Sequence, residues 1–235
     1  VEWFVVLLVL LVMFWMGHRF LQRCDRASQI DWGNRWLNRV DGLSRMLSYR
    51  YHRLECDHIP LPATGPAVLV ANHVSGLDPL LLIAAVNRPL RFLIAQEEYE
   101  RFGLTWLFRL AGCIPVDREK NPERAMRLAQ EALVKGEVVA VFPHGSIQLP
   151  GVPGKKIKGG AVRLARRQRC NIYPAYIEGI KGHGMTLMAV PLRSRARIRA
   201  LPVMDCSVCD YEQAVEHLNQ LLNTPPSEGE NISHD

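Results

Sequence analysis

The sequence predicts an α/β fold: a mixed, mostly parallel sheet layered by helices, behind an N-terminal membrane-associated helical segment. Three observations predict it. Short apolar runs alternate with helical patterns from residue 54 to 223, as strands joined by helical crossovers require. Proline, asparagine and glycine punctuate the joins. An unbroken apolar run opens the chain. At 235 residues and 48% hydrophobic content the chain can bury one sizeable core. The expected organisation is an anchor and basic helix over residues 1–53, one domain over 54–223 and a disordered tail over 224–235.

Taken in order, WFVVLLVLLVMFWM runs from Trp3 to Met16, bracketed by tryptophans and followed by His18, Arg19, Arg23 and Arg26. As a helix it is roughly 21 Å long at ~1.5 Å per residue, short of the ~30 Å hydrocarbon core. It therefore reads as a membrane segment that inserts shallowly or spans only with its flanks. No basic region precedes the run and no A-x-A-like site follows, so a cleaved signal peptide is not expected. Basic residues on its C-terminal side place the rest of the chain at the cytoplasmic face. Over residues 28–53, Trp32, Trp36, Val40, Leu43 and Leu47 recur at steps of three or four with arginines 35, 39, 45, 50 and 53 between them. That is a basic amphipathic helix suited to the membrane interface, or one packed on the domain with a solvated basic face. Gly33 and Gly42 weaken it as a helix.

Strands are expected near residues 66–71, 91–95, 113–117, 138–142 and 172–177. Helices are expected near 79–87, 97–110, 122–135 and 158–169. The helix over 122–135 carries the plainest signals, with Asn121 as cap, Pro122 at its first position and Gly136 past its end. In RSRARIRAL, Arg193, Arg195, Arg197 and Arg199 alternate with small or apolar residues, which puts four positive charges on one strand face. A last helix, YEQAVEHLNQLL, leads into the polar tail.

The formal net charge of +6 suits an anionic partner. The membrane segment makes that partner lipid; no nucleic-acid-reading module interrupts the Trp and apolar stripes. Of six cysteines, only Cys206 and Cys209 stand close, and they lack a second pair to complete a zinc site. The cysteines read as reduced thiols and no metal is expected.

The stretch VLVANHVSGLDPLLL sets His73 five residues before Asp78 in a strand-to-helix loop, with Asp78 as helix cap and Pro79 as first helical residue. Two readings follow from these residues alone. One is a catalytic base with an orienting carboxylate; the other is a structural histidine beside a capped helix. Further along, GCIPVDR ends in Arg118, VFPHGS ends a strand in a glycine-containing turn, GKKIKGGAVRLA supplies Lys155, Lys156 and Lys158 before a helix, and NIYPAYIEG closes the series.

In order and spacing these segments resemble the sequence blocks of the glycerolipid acyltransferase family, typified by bacterial 1-acyl-glycerol-3-phosphate acyltransferases. The resemblance covers roughly residues 55–205. Asn72, His73 and Asp78 match the family's N-H-x-x-x-x-D block. The resemblance implies a membrane-associated O-acyltransferase moving a fatty acyl group from acyl-CoA or acyl carrier protein to a lysophospholipid hydroxyl, 1-acyl-sn-glycerol-3-phosphate first among acceptors. His73 would be the general base and Asp78 its orienter, with no acyl-enzyme, metal or cofactor required. Backbone N–H groups around Gly145 and Ser146 are candidate oxyanion donors. Arg118 would hold the acceptor phosphate and Lys158 would assist, since a guanidinium fork binds two phosphate oxygens at once. Asn72, His144, Gly145 and Ser146 complete the expected substrate-binding set. The family's third block usually reads F-P-E-G-T-R, whereas this chain has Phe142, Pro143, His144, Gly145, Ser146 and Ile147. An acid and a cation are thereby lost from the acceptor region, which leaves a lyso-aminolipid acceptor or a silent lipid-binding relative as alternatives.

Overall fold

The computed structural model describes residues 2–119, 121–149, 152, 155–206 and 210–226. A seven-stranded sheet organises them: β1 (Glu55–Cys56), β2 (Ala67–Ala71), β3 (Leu90–Ala95), β4 (Ile114–Val116), β5 (Val138–Val141), β6 (Ile172–Glu178) and β7 (Arg197–Ala200). Their spatial order is β1-β7-β6-β2-β5-β3-β4, and every neighbouring pair is parallel except β6 with β7. This is the mixed, mostly parallel sheet expected.

Central β2, AVLVA, is buried along its whole length because both sheet faces are covered. Its side chains alternate between two cores. Ala67, Leu69 and Ala71 join one, and Val68 and Val70 the other. The helices are α1 (Glu2–Ala27), α2 (Arg35–Arg45), α3 (Asp78–Ala85), α4 (Gln96–Tyr99), α5 (Thr105–Leu110), α6 (Pro122–Val134), α7 (Gly160–Gln168) and α8 (Tyr211–Asn223). The cap of α6 forms as read: Asn121 accepts from the Arg124 N–H.

Several expectations change. The opening helix does not stop at Met16; α1 has 26 residues, roughly 39 Å. It is the one helix among the described residues long and apolar enough to cross a membrane, and its apolar run is exposed. The helix expected over 97–110 is two short helices separated at residues 100–104. The strand in RSRARIRAL is only four residues long, although the alternation of exposed arginines with buried neighbours holds from Arg193 to Ile198. Arg197 and Arg199 are paired within the protein, with Glu55 and Glu178. Two-residue β1 was not expected at all. Residues 227–235 of the expected tail and Cys209 lie outside the described residues.

The amphipathic segment differs most. Its helix begins only at Arg35, capped by the Asn34 side chain, and widens into a π-helical turn over Met46–Tyr51. Gly42 does not merely weaken it. A Cβ there would stand 1.9 Å from the Cys24 carbonyl oxygen, so the glycine permits α1 and α2 to cross closely. Arg45 is not a solvated charge: it is 5% exposed and bonds Asp41, Gln29 and the carbonyls of Ala84 and Val86 at the end of α3. A buried guanidinium thus terminates α3 where four carbonyls lack helical partners. Ile30 and Leu54 enter the main core. Residues 28–53 are therefore part of the domain's packing, whereas α1 projects from it.

Candidate active site

Parallel β2, β3, β4 and β5 point their C-terminal ends to one edge of the sheet, where strand-to-helix loops converge. His73 follows β2, residues 142–148 follow β5, and Arg118 follows β4. All three segments face one cleft of about 560 Å³.

Asp78 is not the side-chain cap expected; it is the first residue of α3, and its carboxylate turns back into the preceding loop. One oxygen accepts from His73 Nδ1 at 2.8 Å, Val74 N–H at 2.6 Å and Ser75 N–H at 3.0 Å; the other accepts from the Ser75 hydroxyl at 2.8 Å. The group is 0% exposed, so its lone pairs are matched inside the protein. A carboxylate facing Nδ1 makes that nitrogen the donor. The other ring nitrogen, Nε2, keeps its lone pair on a residue that lines the cleft. The imidazole is further fixed by stacking on Phe142, with centroids 4.2 Å apart.

Two neighbours hold this loop from behind. Asn72 is 1% exposed, and its amide makes a paired bond with the Ile177 backbone: Nδ2 donates to the carbonyl at 2.9 Å and Oδ1 accepts from the N–H at 2.7 Å. The side chain continues the β2–β6 ladder after the main chain has turned away, which places it behind the cleft and not on its surface. Residues 182–187 cover the other side, with Gly76 N–H donating to the Met185 carbonyl and Gly184 N–H to that of Val74. A Cβ on Gly76 would lie 2.7 Å from the Thr186 backbone, so only glycine allows the two segments to touch. Gly184, Thr186 and Leu187 line the cleft and were missed by sequence reasoning. The glycines of KGHG were the only local signal.

The loop after β5 behaves differently from expectation. Gly145 N–H is consumed by the Phe142 carbonyl at 3.0 Å, which removes it as an oxyanion donor. Ser146 N–H has no acceptor among the described residues and remains available. Both residues, with Ile147, line the cleft. His144 does not. It is 4% exposed, with Nε2 on the Asn223 amide oxygen at 3.2 Å. Burial pushes its pKa below the ordinary histidine value; the Asn223 bond opposes that shift and the charge of nearby His73 reinforces it.

Arg118 lines the cleft and is exposed, with no ion pair among the described residues. Lys158 is also exposed, and its ammonium lies over Gly145, 3.3 Å from where a Cβ would stand. The remaining wall is mostly apolar, with Trp32, Leu37 and Val40 from the α2 region, Leu80 and Ile83 from α3, and Phe92 from β3, and it also carries the charged residues Asp41, Glu97, Glu98 and Arg101. No cluster of metal-ligating side chains occurs among the described residues.

The family model that matches residues 53–178 is Acyltransferase, and the chain belongs to that family. A probable 1-acyl-sn-glycerol-3-phosphate acyltransferase of Mycoplasma pneumoniae is 35% identical over 126 residues, 49% of this chain and 46% of the relative. The 1-acyl-sn-glycerol-3-phosphate acyltransferase of Bacillus subtilis is 25% identical over 120 residues, covering 51% and 59% respectively. The chain thus spans about half the length of the curated relatives it matches. The crystal structure of the 1-acyl-sn-glycerophosphate acyltransferase PlsC from Thermotoga maritima shares the fold, with a TM-score of 0.62 at 18% identity over 89% of this chain and 86% of that one.

Proposed function

We propose that the protein moves a fatty acyl group from a thioester, acyl-CoA or acyl carrier protein, to the free hydroxyl of a lysophospholipid at the cytoplasmic face of a membrane. The observation that carries this reading is the His73–Asp78 pair, fixed from behind and opening on a largely apolar cleft. In the proposed step the acceptor hydroxyl attacks the thioester carbonyl carbon as His73 Nε2 takes its proton. The imidazolium is stabilised by buried Asp78. Ser146 N–H supports the oxyanion of the tetrahedral intermediate. Collapse breaks the C–S bond, and the leaving thiol takes the proton back from His73. The apolar wall suits the acyl chain, and Arg118 with Lys158 suits a phosphate, so 1-acyl-sn-glycerol-3-phosphate is the leading acceptor and phosphatidic acid the product. The chain's similarity to relatives named for that acceptor supports the choice.

A second acceptor class is kept open by one feature. Ile147 occupies the cleft where the family block carries a cation, which leaves fewer charges for phosphate and favours a lyso-aminolipid. The deciding experiment supplies membranes carrying the protein with labelled acyl-CoA and a panel of lysolipids, and identifies products by mass spectrometry. Label should enter phosphatidic acid first. No transfer above that of membranes carrying His73→Ala would sink the reading.

A further inference from the structure

The loop after β5 is gripped from outside the sheet by the last helix, through hydrogen bonds whose directions follow from one backbone donor. Ile157 N–H donates to Asn219 Oδ1 at 3.2 Å; a backbone nitrogen cannot accept, so the oxygen of Asn219 must face it. The same oxygen accepts from Asn223 Nδ2 at 2.9 Å, which turns the Asn223 oxygen toward the loop. There it meets His144 Nε2 at 3.2 Å and Gln148 Nε2 at 3.4 Å. An acceptor facing Nε2 makes Nε2 the protonated nitrogen and leaves Nδ1 a buried lone pair without a partner among the described residues. Gln148 then closes the circuit, because its backbone N–H donates to the carbonyl of His73 at 2.7 Å. One amide on α8 therefore holds both ends of the segment that presents Gly145 and Ser146 to the cleft, and one of those ends is bonded to the proposed base.

We propose that Asn223 is a positioning residue of the transfer site, acting through the Nε2–H of neutral His144 and through Gln148, and that position 144 consequently requires a hydrogen-bond donor. The kinetic part rests on the acyl-transfer reading given above. The requirement inverts the family pattern: glutamate, the usual residue at this place, would set its oxygen against the oxygen of Asn223. Gln and Glu have the same shape and differ in that one donor, and a glutamine Nε2 stands close to where the histidine Nε2 does.

The whole chain in lipid micelles tests this. With the preferred lysolipid, His144→Glu should fall at least tenfold below His144→Gln in acceptor kcat/KM, while KM for acyl-CoA differs between them by less than about twofold, the scale of one charged group facing an unsuited partner. Asn223→Ala should lower acceptor kcat/KM in the parent yet raise it in the His144→Glu background, because it removes the opposing oxygen. Independently of activity, the ¹⁵N shifts of His144 should report a protonated Nε2 and a bare Nδ1, and Asn223→Ala should perturb them. Equal Gln and Glu variants, or losses that only track lowered melting temperatures, would overturn the proposal; so would a protonated Nδ1 in the parent. An inactive parent with the expected tautomer would refute the acyl-transfer reading and leave the His144–Asn223 assignment standing.

Discussion

At the scale of single residues, the candidate site separates groups that meet substrate from groups that hold them. His73 carries the reacting proton in the proposed step. His73→Ala should lower acyl transfer by about 10² to 10⁴, the usual worth of a general base, without loss of fold. Asp78→Asn should also be severe, because an amide oxygen facing Val74, Ser75 and His73 Nδ1 carries no charge to stabilise the imidazolium. Activity of the alanine variant within tenfold of the parent, measured with folding confirmed by circular dichroism, would remove His73 from the mechanism. Arg118 makes a different forecast. With no ion pair among the described residues, it should be missed only by acceptors bearing the phosphate it would bind. Arg118→Ala should lower kcat/KM for lysophosphatidate tenfold or more, matching ~1.5 to 3 kcal/mol for a charged hydrogen bond. A phosphate-free lyso-aminolipid should scarcely notice the change; equal losses for both acceptors would assign Arg118 to structure.

Among the elements, legibility followed the range of the interactions. The strands that became β2, β3, β5 and β6 were readable because each is an apolar run bounded by its own punctuation. The His73–Asp78 spacing was readable because five residues span the whole contact. Asn72 to Ile177 and His144 to Asn223 are separated by 105 and 79 positions, and nothing local to either pair announces its partner. The arginines of α2 show the same limit from the other side. Periodicity placed them on one polar face, yet Arg45 is buried because the carbonyls ending α3 need donors, a demand written 39 residues away. Breaking a buried pair of this kind typically costs ~3 to 5 kcal/mol. Arg45→Ala should therefore lower the melting temperature sharply, whereas exposed Arg50→Ala should not; indistinguishable melts would contradict the packing described for α2.

For the whole molecule, two buried histidines should weaken the fold as pH falls below their ordinary value. His52, wholly buried with its Nδ1 accepting from Ser194 N–H, and His144 both have pKa values pushed below the ordinary one by burial. The unfolded chain protonates them near their ordinary value of ~6.5, while the folded chain resists until lower pH. Their stabilisation is thus present above ~6.5 and is lost as pH falls. Melting temperature should drop between pH 7.5 and 5.5, and His52→Gln should flatten part of that slope; an unchanged slope would exclude His52 as a source. Deleting residues 1–26 removes the exposed apolar run and should shift most of the protein from the membrane fraction to the soluble one. Exposed basic residues should retain a salt-sensitive remainder on acidic vesicles. Full retention after the deletion would show that α1 is dispensable for anchoring.

The crossing of α1 and α2 at Gly42 has a consequence for how acyl selectivity is measured. Leu37 and Val40, on the helix that crosses there, and Trp32, just before it, form one wall of the cleft, so the wall stands on the same support as the anchor. With α1 in a membrane, bilayer thickness, lateral pressure and a detergent belt should act on it first, and a tilt should reach the wall through the close Cys24–Gly42 approach. Under the proposed function, the acyl-chain length accommodated should then depend on host lipid as well as protein, so preferences measured in micelles and in thick or thin bilayers should differ.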